Sequence, residues 1–473
     1  MSALPAVPAP RARGTAPAAL AGPGLAAKVA ALARLMFGAT LFLIPFRLRL
    51  TLLARPFIPV YSDYTDLLLF ASDACLLATL AFWALHLRLA PRRLRTGPRF
   101  IWLPLAGLTL LALVSTLASV DPVLSLYHAV RLLLLAALYL YVVTERLSHR
   151  QLAAPLAVQM VVQALIGVAQ VVQQHSLGLA ALQELELDPA WSGVSIVFAG
   201  GVRSLRAYGL ADHPNILGGC LAFGLLLLGA WAAESETKRR AWVYPVFALG
   251  TLALLLTFSR AAWLAFGAGC VCLALAAWRA GRHAELRRGC GLALAAAVLV
   301  LPFAWRDAAY LGARLDQGDA FTQAPIEARS LSERDRLNEA VARIVREHPL
   351  LGTGIGALPR AEQLRYPDFG AFNANYQPAH IVLLDVAAEL GIPGALIYAV
   401  LLAAPWAALW LRRDRRGWSP ALAGASALLL ALTLVGLFDY YPWLLAPGRL
   451  WQWLAWGLWA AAWETARGGA ARA

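Results

Sequence analysis

Four arginines and one histidine carry the chemistry this sequence offers: Arg206, Arg260, Arg334, Arg336 and His380. A guanidinium is a rigid fork of N–H donors that matches phosphate or carboxylate oxygens. An imidazole takes a proton near neutral pH. Together they suit the binding of an anion and the activation of a hydroxyl beside it. Arg260 lies in the stretch Leu-Leu-Leu-Thr-Phe-Ser-Arg-Ala-Ala-Trp-Leu, with almost no loop around it. An Arg at the centre of a spanning helix costs roughly 2.5–3.5 kcal/mol, and less near the interface. Two readings offset that cost, namely snorkelling to lipid headgroups and a fixed anion ligand.

The other candidates carry the same double reading. Arg206 precedes His213, Pro214 and Asn215. Pro214 suits the first position of a helix, and Asp212 or His213 can cap it, so capping and site chemistry both fit. Arg334 and Arg336 stand at an expected helix start, where they either pair with Glu333 and Asp335 or help to hold an anion. His380 opens the apolar run that follows Gln377-Pro378-Ala379 and is either a base or a structural interface residue. Asp385 and Glu389 are four apart and share a helix face, so they either orient His380 and the arginines or form internal ion pairs. Asp73 and Arg131 are further charges inside apolar runs, and such charges face a bundle interior or a cavity.

Other chemistries find little purchase. Glu184, Glu186 and Asp188 alternate with Leu, which reads as an amphipathic stretch before it reads as a metal site. There is no phosphate-cradling Gly-rich loop, zinc-ligand spacing or nucleophile elbow. No metal and no cofactor are expected. Cys75, Cys220, Cys270, Cys272 and Cys290 all lie in apolar runs and read as small core residues.

The elements that must hold these residues are membrane helices. Of 473 residues, 60% are hydrophobic and only 14% are charged, whereas a soluble domain is roughly 25% charged. A mean hydropathy of +0.62 excludes a soluble enzyme, a disordered chain and a fibrous protein. About twelve apolar runs are long enough to span: 29–46, 65–87, 100–119, 124–144, 152–173, 214–233, 241–258, 261–279, 289–305, 381–411, 419–438 and 446–464. The tenth carries an inner break at Gly391-Ile392-Pro393-Gly394. The net charge of +14 comes from short clusters near 88–99, 146–150, 238–240, 279–288 and 412–416. These are alternate loops, as the positive-inside rule requires, so both termini are expected in the cytoplasm and nucleic acid is not an expected partner.

The fold expected is therefore an all-α polytopic membrane protein of about twelve transmembrane helices with a long outer loop that itself contains helices. Residues 1–27 read as a disordered cytoplasmic tail, 28–305 as helices 1–9, 306–380 as the large outer loop, 381–465 as helices 10–12 and 466–473 as a second tail. Within the loop, Ser332-x-x-Asp335 resembles a capping box, Leu337, Val341, Ile344 and Val345 recur at helical spacing, and Gly352 ends the element. A lipid-linked diphosphate sugar would place its diphosphate at the depth of the outer cluster. Arginines would neutralise the leaving group, and His380 would take the proton of the attacking hydroxyl.

Five ordered segments resemble the O-antigen ligases of the bacterial ligase/polymerase superfamily. They are Arg206-Ala-Tyr-Gly-Leu-Ala-Asp-His213-Pro-Asn215, Thr257-Phe-Ser-Arg260, Ser332-Glu-Arg334, His348-Pro-Leu-Leu-Gly352-Thr-Gly354, and Ala379-His380 followed by Glu389-Leu-Gly391-Ile-Pro-Gly394. They cover residues 200–395, and the N-terminal half matches only in character. The resemblance implies a GT-C-like glycosyltransferase of the bacterial inner membrane. It would move O-antigen polysaccharide from undecaprenyl diphosphate to a sugar of the lipid A–core at the periplasmic face, without a metal and with inversion. It implies His380 as the base, Arg260 and Arg334 as diphosphate ligands, and Arg206 as a further cation. The loop segment departs from the family pattern, with Glu333 where Gly is common and Asn338 where an aromatic is common, which leaves Arg334 and Arg336 as alternatives. An O-antigen polymerase or a protein O-oligosaccharyltransferase of the same superfamily would use the same donor. A lipid-linked sugar transporter is the reading from another class, although the inverted repeats common there are not visible.

Overall fold

The computed structural model of the protein describes residues 23–147, 149–234, 241–315, 325–368, 376–411 and 418–470. The expected tail before residue 23 and the basic clusters at 238–240 and 412–416 lie outside the described residues, as do parts of the long loop. Helices occupy all twelve expected apolar runs. They are α1 (Pro23–Leu43), α2 (Ala71–Leu89), α3 (Arg99–Ser115), α4 (Pro122–Glu145), α5 (His149–Gln173), α6 (Pro214–Glu234), α7 (Val243–Leu256), α8 (Arg260–Arg279) and α9 (His283–Arg306). Three short or amphipathic helices follow, α10 (Ala308–Leu315), α11 (Pro325–Glu347) and α12 (Leu358–Arg365). The chain closes with α13 (Val382–Leu411), α14 (Pro420–Gly436), the one-turn α15 (Tyr441–Leu444) and α16 (Ala446–Ala470).

Among the described residues, nine helices are long and apolar enough to cross a membrane. Helices α7 and α14 are apolar but have 14 and 17 residues, short of the ~20 that a bilayer core asks for. Helix α16 is long but rich in tryptophan. Trp451, Trp453, Trp456 and Trp459 are almost fully buried, because α16 packs on α4, α6 and α14 in the middle of the bundle.

Three local expectations change. The fold is not purely helical: β1 (Arg49–Leu53) pairs antiparallel with β2 (Leu67–Phe70), and β3 (Ile196–Ala199) with β4 (Val202–Leu205). Leu67–Phe70 looks like the start of a span because it is apolar, but its backbone pairs with β1. Helix α2 begins only at Ala71, where the Asp73 carboxylate accepts the Phe70 N–H at 3.3 Å. Helix α11 begins at Pro325, so Ser332 to Asp335 lies inside the helix and is not its cap. Pro suits a first turn, where its missing N–H is not needed. Helix α1 begins at Pro23, so the last residues of the expected tail are helical.

Elsewhere the local signals hold. Helix α6 starts at Pro214 and α8 at Arg260, directly after a turn in which Phe258 adopts φ 49°. Helix α13 breaks at Gly391 (φ 74°, ψ 177°), where a Cβ would come within 2.3 Å of the Leu350 carbonyl oxygen. Residues 349–354 lie against this break: Thr353 N–H donates to Ala388 O, Gly354 N–H to Glu389 O and Ile392 N–H to Pro349 O. The His-Pro-Leu-Leu-Gly-Thr-Gly stretch is thus the strap that fastens the end of α11 to α13.

Candidate functional site

Helix α11 is amphipathic. Leu337, Val341 and Ile344 are buried, and Val341 and Ile344 pack with Leu358, Ala379 and Ala388 beside the strap. That packing sets the position of Arg334. Asn338, one turn further on, accepts the backbone N–H of His380 through Oδ1 at 3.1 Å. The residue that departs from the family pattern therefore ties α11 to the entrance of α13, and brings Arg334 and His380 to one wall.

They line a cavity of about 600 Å³. Its wall also includes His213 and Asn215 at the start of α6, and Asp439 and Tyr440 between α14 and α15. Asn215 Nδ2 donates to Asp439 Oδ2 at 2.9 Å. The Tyr440 ring lies edge-on to the His380 ring, with centroids 5.2 Å apart, and its hydroxyl is 2.7 Å from that of Tyr64. On the facing side, Arg47 and Arg49 close on the Asp212 carboxylate at 3.0 and 2.8 Å. Asp212 is thus spoken for, and it is His213 that caps α6: its Nδ1 accepts the Asn215 N–H at 3.1 Å.

The electrostatics follow from this crowding. Burial pushes His380 down to about 4; Asp439 pulls it back up and Arg334 adds to the depression. His380 is therefore a neutral imidazole at pH 7, and its Nδ1 is enclosed without a hydrogen-bond partner among the described residues. His213 is also held well below the usual histidine range, by burial first and then by Arg206, Arg334 and Arg314.

The four arginines separate into different roles. Arg334 is half-buried at the cavity, and its guanidinium has no hydrogen-bond acceptor among the described residues. Arg336 is exposed and is not part of the cavity wall. Arg206 is buried and engaged in three directions: Nε to Thr257 O at 2.7 Å, Nη1 to Ser195 Oγ at 2.7 Å and Nη2 to Asn215 Oδ1 at 2.6 Å. It holds the turn before Arg260 against the start of α6. Arg260 lies at the same end of the bundle, outside the cavity wall, with Nη1 3.5 Å from Arg314 O. Arg314 in turn donates to Phe258 O at 3.1 Å.

Asp385 and Glu389 face the interior below the cavity. Asp385 is 1% exposed. Glu389 accepts the Trp443 indole N–H at 2.8 Å. The Asp73 carboxylate pairs with Arg131 at 2.7 Å, the internal ion pair that charges in apolar runs suggest. Glu184 is consumed locally, by the N–H groups of Leu177 and Leu179 and the amide of Gln170.

Residues 245–399 match the family model described as O-antigen ligase. The match spans 155 of the 473 residues. No curated protein matches the chain. The matched stretch of the ligase family holds Arg260, Arg334, Arg336, His380, Asp385 and Glu389, and the fold adds to it from outside. Asn215 and Asp439 flank the matched stretch in sequence and meet across 224 positions.

Sequence reasoning missed Asp439, Tyr440 and Arg449. Asp439 is an acid in Phe438-Asp439-Tyr440-Tyr441-Pro442, directly after an apolar run. Arg449 interrupts a Trp-rich run and is 1% exposed. The rule that drew attention to Arg131 applies equally to it.

Proposed function

We propose that the chain is an O-antigen ligase of the bacterial inner membrane. In this reading the cavity opens to the periplasm, and both termini are cytoplasmic. The donor is a polysaccharide on undecaprenyl diphosphate, and the acceptor is a sugar hydroxyl of the lipid A–core. The single observation that carries the reading is that Arg334, whose guanidinium has no hydrogen-bond acceptor among the described residues, lines one cavity with His380.

The chemistry is one displacement. The acceptor hydroxyl oxygen bonds to the anomeric carbon from the face opposite the diphosphate. The carbon–oxygen bond to the diphosphate breaks, and its electron pair leaves with the phosphate. The hydroxyl proton passes to His380, and the anomeric configuration inverts. Arg334 neutralises charge as it develops on the leaving diphosphate, with Arg260 as a second cation at the same end of the bundle. The bound diphosphate cancels the Arg334 field that depresses His380, so the imidazole becomes a stronger base once the donor is seated. Asp439, held by Asn215, stabilises the imidazolium that forms. Arg206 positions Asn215 and the Thr257 turn, and Arg336 has no part in the step.

The test is transfer by purified protein in nanodiscs, from lipid-linked O-antigen to lipid A–core, with chelator present. Ligated lipopolysaccharide that forms in chelator is the expected result. Growth of the donor chain without acceptor would assign a polymerase instead. Movement of donor across vesicles without a new glycosidic bond would assign a transporter.

A further inference from the structure

A second imidazole lines the same cavity. His128 belongs to α4, three residues before Arg131, and is 8% exposed. Its Nδ1 is 2.9 Å from Nη1 of Arg449. A guanidinium only donates, so Nδ1 must carry a lone pair and the ring proton must sit on Nε2. The Arg449 side is itself fixed: Nε donates to the Trp443 carbonyl, and the guanidinium lies over the Trp443 ring, 5.3 Å from its centroid. Trp443 is anchored in turn by Glu389 through its indole N–H.

The opposite edge of the ring is fixed by packing. Gly356 adopts φ 75°, and a Cβ there would stand 1.9 Å from Cδ2 and 2.6 Å from Nε2 of His128. Only a residue without a side chain lets the strap close on the imidazole. The His128 Nε2 has no hydrogen-bond partner among the described residues. The ring is thus clamped from the α16 side and from the strap, with one N–H left open where the residue meets the cavity.

We propose that His128 is a fixed-tautomer hydrogen-bond donor that recognises an acceptor-only oxygen of the bound substrate, either a phosphoryl oxygen or the carbonyl oxygen of an acylated amino sugar. A hydroxyl, which both donates and accepts, gains less from a group that only donates. The proposal rests on the ligase reading for its substrate but not for its tautomer. His128 positions substrate; it takes no proton in the reaction.

The experiment uses the full chain in nanodiscs, labelled with ¹⁵N-histidine, as wild type, His128→Gln and His128→Leu. Gln keeps an N–H donor near the position of Nε2, and Leu keeps the volume without it. One imidazole signal of the Nε2–H tautomer, missing in both variants and unmoved between pH 5.5 and 8, is expected; an Nδ1–H signal or a titrating one at His128 overturns the proposal. Affinity for undecaprenyl diphosphate without a glycan is then measured. A loss of about tenfold in His128→Leu, with His128→Gln near wild type, assigns a phosphoryl oxygen. Unchanged affinity with a KM about tenfold higher for an N-acetylated donor, but not for a non-acylated one, assigns the carbonyl. If His128→Leu matches wild type in both, the proposal fails. If the wild type neither binds nor transfers, the ligase reading fails together with the substrate assigned to His128, while the imidazole signal still decides the tautomer.

Discussion

Asn215 and Asp439, 224 positions apart, share a hydrogen bond of 2.9 Å that joins the first turn of α6 to the turn after α14. Arg206 holds the other end of the Asn215 amide, so a line of three side chains reaches from the Thr257 turn to the wall that carries His380.

The acid limb of kcat/KM follows from that line. The limb reports the free enzyme, and His380 lies near 4 there, so activity persists well below the 6.5 of an ordinary histidine. Removing the Asp439 charge lowers the imidazole further, and removing the Arg334 charge raises it. In pH profiles, Asp439→Asn shifts the limb downward and Arg334→Gln shifts it upward. Shifts in the reverse directions would detach His380 from the titration. His380→Ala loses about 10²–10⁴ in kcat.

The two loop arginines separate kinetically. Arg334→Lys keeps a charge but loses the fork, and donor KM rises by about tenfold or more, while Arg336→Gln stays within about twofold of wild type. Steady-state kinetics with donor varied at fixed acceptor read this directly. Equal effects at both positions would contradict the geometry of α11.

Arg206 behaves as a strut. A lysine cannot reach Thr257 O, Ser195 Oγ and Asn215 Oδ1 together, so Arg206→Lys lowers thermal stability by about 2 kcal/mol and lowers kcat with little change in donor KM. A donor KM effect without loss of stability would mark it as a direct ligand instead.

Acidification removes the stability that the two buried histidines of the site contribute. His213 and His380 sit below their unfolded values, so the unfolded chain takes up their protons first. Their contribution is complete above about pH 6.5 and is lost as the pH falls from there toward 4. Thermal melts between pH 7.5 and 4.5 show the loss, and it shrinks in His213→Asn.

Gly391→Ala tests the strap. The break at Gly391 needs φ 74°, and a methyl group would press on the Leu350 carbonyl. The substitution costs about 2 kcal/mol or more, which a melt of the purified variant measures. No change would mean that the strap moves freely.

Much of this fold is written in the sequence, because a bilayer imposes long apolar helices and the runs reveal them. Pro214 and the turn before Arg260 are readable for the same reason, as local backbone chemistry marks them. What escapes is set by distant partners. Leu67–Phe70 looks helical until its pairing with Arg49–Leu53 is known. Asp439 is a single acid whose role appears only when Asn215 arrives from α6. Arg334 and Arg336 are alike in sequence, and only the packing of Leu337, Val341 and Ile344 turns one to the cavity and the other to solvent.

The most direct measurement is a cryo-EM map of the protein in nanodiscs saturated with undecaprenyl diphosphate. The account predicts diphosphate density within hydrogen-bonding distance of the Arg334 guanidinium, with the terminal phosphate facing His380. Density seated elsewhere, with the cavity between Arg334, His380 and Asp439 empty, would contradict it.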